Sequence, residues 1–252
     1  MSVTLSLLCL PCAGASASMY LRWRRLLPRW IEVHAVELPG RGARLGEPFV
    51  EDFGQLVAKL CIEQDAALRG NFALFGHSMG ALLAHGITRR LRALGRPLPR
   101  AVVASGSPAP TRREDRHFPA KHDDAGLIAD LRRQGGTPEE VFASEELMRI
   151  TLDALGADYR VCESFSRGSG THLPVPLHVL AGRDDDIAPE RVEAWSIENV
   201  GPFTLDWFDG GHFFIREHEP LVVATLAQRL AQSCAPESLA HPSHHAARHA
   251  VA

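Results

Sequence analysis

The chain has 252 residues, of which 45% are hydrophobic and 23% charged, and its formal net charge at pH 7 is -3. This composition is typical of one folded α/β domain and excludes a largely disordered chain. The small negative charge argues against nucleic acid or an anionic membrane as a partner. The five cysteines are an odd and scattered set, so we expect neither a disulfide framework nor a zinc site, and we expect a cytoplasmic location.

The first third of the chain alternates apolar runs with segments of helical spacing. Leu5–Leu10 is largely apolar, as buried parallel strands are, and it is too short to cross a bilayer. Small residues at 11–15 then form a loop at the strand's carboxyl end, where ligands bind in open α/β sheets. The patterns further predict a surface helix at residues 19–30, a second strand at 31–38 and a helix at 52–68.

The segment around Ser78 carries the strongest chemical signal. Residues 76–80 read Gly-His-Ser-Met-Gly, and this Gly-x-Ser-x-Gly pattern lies between an apolar strand at 71–75 and a helical pattern. A strand that turns sharply into a helix exposes its central side chain, and a side chain at Gly76 or Gly80 would collide with neighbouring backbone. Ser78 is therefore the predicted nucleophile.

The pattern changes after the helix that follows Ser78. A buried strand is predicted at 101–104, but from about 110 to 171 only helical spacing is present, which indicates an inserted helical cap. Strands resume at 176–182 and 203–208, and a closing helix is expected at 221–230.

These segments predict the domain organisation. Alternating strands and helices favour a mostly parallel central sheet flanked by helices. We expect a single domain over residues 1–233, with the cap inserted at about 110–171. Residues 234–252 are rich in Ala, His, Ser and Pro, and we expect them to form a mobile tail.

A serine nucleophile needs a base for its proton and a carboxylate that orients the base. His212 follows the last predicted strand, so it is expected at the same sheet edge as Ser78. Asp184, Asp185 and Asp186 follow the preceding strand, which gives the order Ser, Asp, His of α/β-hydrolases. Position in the chain alone does not decide which of these three carboxylates is the acid. The usual hydrolase turn, Gly-x-x-Asp-x-aliphatic-x-Pro, fits when Asp185 is the acid.

The oxyanion of an acyl transfer needs amide donors. Met79 is expected to supply one amide, because it follows the nucleophile at the start of a helix. The small-residue loop after the first strand is expected to supply the other, with Ala13 as first choice and Cys12 as second. No cofactor or metal is predicted, since hydrolysis needs only water.

Four further motifs accompany the Gly-x-Ser-x-Gly segment: LPGRGAR at 38–44, GGTPEEV at 135–141, ADY at 157–159 and GGHFF at 210–214. With them, the chain resembles, from about Leu7 to Leu230, the type II thioesterases that accompany nonribosomal peptide and polyketide synthases. The resemblance implies an α/β-hydrolase fold and a cap that governs access. It also implies hydrolysis of acyl thioesters from the phosphopantetheine arm of carrier proteins, which clears misprimed or stalled units.

The resemblance implies acyl- or peptidyl-carrier proteins as partners, and we expect a monomer. Because a serine triad attacks oxygen and sulfur esters alike, a small-molecule carboxylesterase is an alternative, and a medium-chain acyl-carrier-protein thioesterase is another. A non-catalytic protein that docks on a synthase is disfavoured by the intact Ser78 and His212. Arginines at 22–25 and 112–113 are candidates for docking an acidic carrier protein.

Overall fold

The computed structural model describes residues 4–113, 123–166 and 172–234. The strands are β1 (Leu5–Leu10), β2 (Ile31–Ala35), β3 (Phe72–His77), β4 (Val102–Ser105), β5 (Leu177–Gly182) and β6 (Phe203–Phe208). They form one sheet in the order β2-β1-β3-β4-β5-β6, and every neighbouring pair is parallel. The predicted α/β fold with a mostly parallel sheet is confirmed.

Helices cover both faces of this sheet. They are α1 (Trp23–Leu26), α2 (Phe53–Glu63), α3 (Met79–Ala93), α4 (Asp124–Gln134), α5 (Glu139–Phe142), α6 (Glu145–Ser164), α7 (Pro189–Glu193), α8 (Phe214–Glu217) and α9 (Glu219–Cys234). Because successive strand residues point to opposite faces, Leu8 and Leu10 pack with α2 and α3 in one buried cluster. Leu7 and Cys9 pack with α9 in the other.

The sheet order brings the first two functional loops together. The chain leaves β1 for the edge strand β2 and returns to β3 on the other side of β1, so strand order reverses between β1 and β3. Loops at such a reversal diverge and leave a crevice where ligands bind. The loop after β1 and the turn after β3, which carries Ser78, flank this crevice.

Three predicted elements differ from the structure. Residues 19–30 do not form one helix: a 3-10 turn (Ala17–Tyr20) precedes the short α1, since Pro28 favours the extended backbone that Leu27 adopts. Strand β2 ends at Ala35 rather than at 38. The helix predicted at 52–68 ends earlier, because α2 stops at Glu63 and a separate 3-10 turn covers Ala67–Arg69. Asp52 caps α2 by accepting a hydrogen bond from the Gln55 amide at 2.8 Å.

The carboxyl end of the chain also differs from its prediction. Helix α9 is longer than the predicted helix at 221–230 and includes Cys234, which was assigned to the tail. The rest of the predicted tail lies outside the described residues. Across the ranges that the structure covers, no helix combines the length and apolar composition that a bilayer span requires.

The helices α4, α5 and α6 all lie in the chain between β4 and β5, and we call them the cap. Among the described residues of this segment there is no strand. Residues 114–122 and 167–171 of the predicted insertion lie outside the described ranges.

Candidate active site

Ser78 lies at a sharp turn between β3 and α3. Its φ of 55° makes it the one non-glycine residue with positive φ among those described. A Cβ on Gly76 would lie 2.0 Å from the Gly80 carbonyl oxygen, and a Cβ on Gly80 would lie 2.2 Å from that of Leu10. Only hydrogen fits at either position, so the two glycines permit the turn and the serine side chain is carried at its apex.

Asp185 and His212 come from neighbouring strands. Because β5 and β6 are parallel and paired up to Gly182 and Phe208, the turn after β5 and the loop after β6 meet at one edge. There His212 Nδ1 donates a hydrogen bond to Asp185 Oδ2 at 2.8 Å. The side chains are only 11% and 7% exposed, respectively. This bond leaves the other ring nitrogen, Nε2, on the side of the ring away from Asp185.

The other two carboxylates of the turn have different partners. Asp184 is exposed and accepts a hydrogen bond from the Gly210 amide at 3.2 Å, which fastens the two loops together. Asp186 is exposed and forms an ion pair with Arg133 of α4 at 2.9 Å. Of the three candidates for the acid, only Asp185 therefore bonds to His212.

The predicted oxyanion donors are the backbone amides of Met79 and Ala13. Met79 is the first residue of α3, so its amide has no acceptor within the helix. In the loop after β1, the Ala15 amide donates to the Cys12 carbonyl at 3.2 Å and the Gly14 amide to Asp158 Oδ2 at 2.8 Å. Within the described part of the chain, the Ala13 amide makes no such bond, so it remains a donor for a ligand.

One cavity of about 870 Å³ connects these groups. Ser78, Asp185, His212, Ala13 and Met79 all line it, so the structure brings together the site residues predicted from the sequence. The volume is within the range of small-molecule sites. Cap residues form the opposite wall, among them Leu131, Val141 and Tyr159.

The cap is fastened to the loops that carry the acid and the histidine. Besides the Arg133–Asp186 pair, the guanidinium of Arg216, four residues after His212, donates to the Gly136 carbonyl in the cap. A Cβ on Gly136 would lie 2.7 Å from the Phe213 ring. The cap therefore rests directly on the segment that carries His212.

His77 lies beneath the site, although no role for it was predicted from the sequence. Its ring is fully buried, its centroid lies 5.0 Å from that of His212, and its Nδ1 is 3.0 Å from Ser105 Oγ. Burial, together with the nearby His212 and Arg216, holds the pKa of His77 well below its ordinary value. His77 is therefore neutral at physiological pH and supports the His212 ring without adding charge.

Cys12 also lines the cavity, but its environment does not favour a nucleophile. The side chain is buried, and burial raises the pKa of its thiol to about 11. Because the thiolate is the reactive form, Cys12 is a wall residue at neutral pH.

Comparison with known proteins identifies the family. The family described as "Thioesterase domain" matches residues 6–230. The chain belongs to the thioesterase family. A probable cadicidin biosynthesis thioesterase of Streptomyces griseus is 40% identical over 228 residues, which are 89% of this chain and 62% of that protein. The thioesterase PikA5 of Streptomyces venezuelae is 35% identical, and the alignment covers 84% of this chain and 75% of the relative.

Solved structures agree with this assignment. The type II thioesterase BorB from the borrelidin biosynthetic cluster superposes on this thioesterase with a TM-score of 0.82 at 39% identity, covering 90% of this chain and 93% of BorB. RedJ, a thioesterase from the prodiginine pathway of Streptomyces coelicolor, gives a TM-score of 0.82 at 33% identity, covering 89% and 90%. The resemblance to type II thioesterases stated from the sequence is confirmed.

Two residues of this thioesterase were missed as site components. Arg41 and Asp158 occur in motifs noted in the sequence, but they were given no role there. In the structure they form a buried ion pair beside the loop that carries Ala13. No sequence signal pointed to their contact, which arises from packing of α6 against the loop after β1.

Proposed function

We propose that this thioesterase hydrolyses acyl and aminoacyl thioesters carried on the phosphopantetheine arm of acyl- or peptidyl-carrier proteins, with Ser78, His212 and Asp185 as its catalytic triad. The observation that carries the triad is the Asp185–His212 hydrogen bond in the cavity that also exposes Ser78. The carrier-bound substrate is inferred from relatives named for the biosynthesis of cadicidin, borrelidin and prodiginine.

The geometry supports a two-step reaction. Asp185 holds the proton of His212 on Nδ1, so Nε2 is free to take the proton of Ser78 Oγ as that oxygen attacks the thioester carbon. The Met79 and Ala13 amides stabilise the resulting oxyanion. The C–S bond then breaks, and the thiol leaves with the proton from His212. Water, deprotonated by His212, hydrolyses the acyl-serine and regenerates the enzyme.

The biological role proposed is editing: removal of misprimed or stalled units during nonribosomal peptide or polyketide synthesis. The cavity volume of about 870 Å³ is large enough for an acyl group and part of a phosphopantetheine arm. The cap that covers the cavity is well placed to select acyl groups, because its residues form the wall opposite Ser78.

The test uses carrier proteins loaded with short, long and aminoacyl groups, with release followed by mass spectrometry. The wild type should release at least one class, and Ser78→Ala should be slower by roughly 10³-fold or more while remaining folded. Ser196→Ala, at an exposed serine outside the cavity, is the matched control and should keep full activity. Retained activity in Ser78→Ala would refute the triad.

The same assay separates the alternatives when it is extended to a free chromogenic oxygen ester and to a carrier protein loaded with a medium fatty-acyl chain. Faster turnover of free oxygen esters than of any carrier-bound thioester would favour the carboxylesterase. A preference confined to medium fatty-acyl chains would favour the acyl-carrier-protein thioesterase of lipid synthesis. No turnover of a chromogenic ester or a thioester would favour a non-catalytic docking protein.

A further inference from the structure

A buried ion pair joins the cap to the body of the protein. Arg41 follows β2, and Asp158 belongs to α6 of the cap. The two side chains are 6% and 2% exposed, and they meet through two hydrogen bonds: Nη2 donates to Oδ1 at 2.7 Å and Nη1 donates to Oδ2. Burial acts against the charge of Arg41, but the adjacent carboxylate of Asp158 keeps the pKa of the guanidinium above its ordinary value, so Arg41 is charged.

The pair shares a third partner, the loop after β1. The Gly14 amide donates to Asp158 Oδ2 at 2.8 Å, and Arg41 Nη1 donates to the Ala15 carbonyl at 3.3 Å. The ion pair thus bonds to the two residues that follow Ala13 in the chain. It accepts from one and donates to the other, which fixes both the position and the orientation of this stretch of backbone.

The loop needs such external support. Gly14 has a φ of 73°, and a Cβ there would lie 3.2 Å from Leu155 of α6, so the loop turns tightly against the cap. Its one internal backbone bond among the described contacts is Ala15 to Cys12. Apolar side chains could replace a buried ion pair at little cost in stability. They could not accept the Gly14 proton or donate to the Ala15 carbonyl.

We propose that Arg41 and Asp158 are positioning residues that hold the Ala13 amide where the oxyanion forms, so that α6 of the cap is part of the support of the oxyanion hole. The proposal rests on the function proposed above. An amide displaced by less than 1 Å gives a weaker hydrogen bond to the transition state. The substrate itself makes this bond only weakly in the ground state, so its binding depends little on the pair.

The test is Asp158→Asn, which keeps the size of the side chain but removes its charge. With an N-acetylcysteamine thioester that the wild type turns over, kcat should fall by about 10- to 100-fold and KM should change by less than about threefold, as expected for an interaction made in the transition state. The matched control is Asp153→Asn, the same change at an exposed ion pair with Arg149 on the same helix. Its kcat should stay within about twofold of the wild type.

A second readout separates positioning from a general loss of structure. An alkylboronic acid forms a tetrahedral adduct with a reactive serine and places an oxygen in the oxyanion hole. Its affinity for Asp158→Asn should fall by the same factor as kcat. An unchanged kcat in the folded variant would overturn the proposal, as would a lower kcat with unchanged boronic acid affinity.

A second variant, Arg41→Lys, tests the proposal if Asp158→Asn does not fold. Arg41→Lys keeps the positive charge but loses the planar, two-nitrogen contact with the Asp158 carboxylate that orients both groups. Its kcat should fall by several-fold with KM retained, and an unchanged kcat would overturn the proposal. Ser78→Ala in the same assay distinguishes failure of the proposed function from failure of the positioning role. If it is inactive while both pair variants match the wild type, the proposed function stands and only the positioning role fails.

Discussion

The backbone of Ser78 is held in a conformation that most side chains avoid. Positive φ at a residue other than glycine costs on the order of 1–3 kcal/mol, which the surroundings must offset. Here the Ser78 amide donates to the Ser105 carbonyl at 2.7 Å, and the Ser78 carbonyl accepts from the Ala81 amide at 3.1 Å. Both backbone groups are therefore fixed to β4 and α3, and the strained turn presents the hydroxyl to the cavity.

The three carboxylates after β5 should differ in their effects on catalysis. We expect Asp185→Asn to lower kcat by roughly 10³- to 10⁴-fold, because an amide favours the wrong tautomer of His212. Asp184→Asn and Asp186→Asn should retain most activity, since their partners are the Gly210 amide and Arg133. Steady-state kinetics on the three variants, each checked for folding by circular dichroism, measures this. Equal losses in all three would contradict the assignment.

Individual residues differ in how far the sequence could predict them. Ser78 and His212 were predictable because each follows a strand at the edge where ligands bind. Asp185 could be separated from its neighbours only by a turn pattern, and its bond to His212 required the structure. The Arg41–Asp158 pair could not be predicted at all, since burial and the contact of α6 with the loop after β1 arise from tertiary packing.

Among the elements, the turn from β3 to α3 is the most sensitive to added volume. Gly80→Ala should lower the free energy of unfolding by at least about 2 kcal/mol, because the new methyl group would meet the Leu10 carbonyl, which cannot move without disturbing β1. Urea denaturation measures this change. Gly70→Ala is the control, since a Cβ there has no neighbour within 4 Å. Similar unfolding midpoints for the two variants would count against the steric account.

The packing of β5, β6 and α9 should make stability depend on pH. His178 bonds to Thr204 Oγ1 at 2.8 Å and to Ser233 Oγ at 2.7 Å, and burial, with Arg229 nearby, lowers its pKa from 6.5 to about 4. The folded state disfavours the protonated ring, whereas the unfolded chain binds a proton below pH 6.5. Stability should therefore be full above pH 6.5 and fall as pH drops to about 4, by on the order of 3 kcal/mol.

Urea titrations between pH 7.5 and 4 test this element. The decrease in unfolding free energy should be smaller in His178→Gln than in the wild type, while His218→Gln, at a half-buried histidine outside this cluster, should retain the wild-type decrease. Parallel curves for the wild type and His178→Gln would show that the pH dependence comes from other groups.

Elements with a purely local cause were predicted best. The bounds of β1 match the prediction because a buried parallel strand is apolar along its whole length. The prediction of one helix at 19–30 was wrong because helical spacing of apolar residues also fits a 3-10 turn followed by a short helix. There Tyr20 and Trp23 are buried by tertiary packing around Phe75 rather than by one helical face.

At the scale of the whole molecule, docking of an acidic carrier protein should respond to salt. We expect higher ionic strength to lower kcat/KM for a carrier-bound thioester and to leave that of the matching N-acetylcysteamine thioester nearly unchanged. Arg112 is exposed, and its neighbour Arg113 lines the cavity, whereas Arg24 and Arg25 are exposed but do not line it.

Charge reversal distinguishes the two arginine segments. Arg112→Glu should mimic the effect of salt on the carrier-bound substrate, and Arg24→Glu combined with Arg25→Glu should have a smaller effect. The small thioester is the control for each variant. Equal salt sensitivity for both substrates would argue against electrostatic docking.

The place of the cap in the chain bears on how such enzymes diversify. The cap is inserted between β4 and β5, which pair directly with each other, so a different cap could be exchanged there without altering the register of the sheet. The exchange would not be free of constraints. A transplanted cap lacking an acid at the position of Asp158 would leave Arg41 as a buried positive charge with no carboxylate partner. Recombination between relatives should therefore succeed most often when both halves of that pair are inherited together.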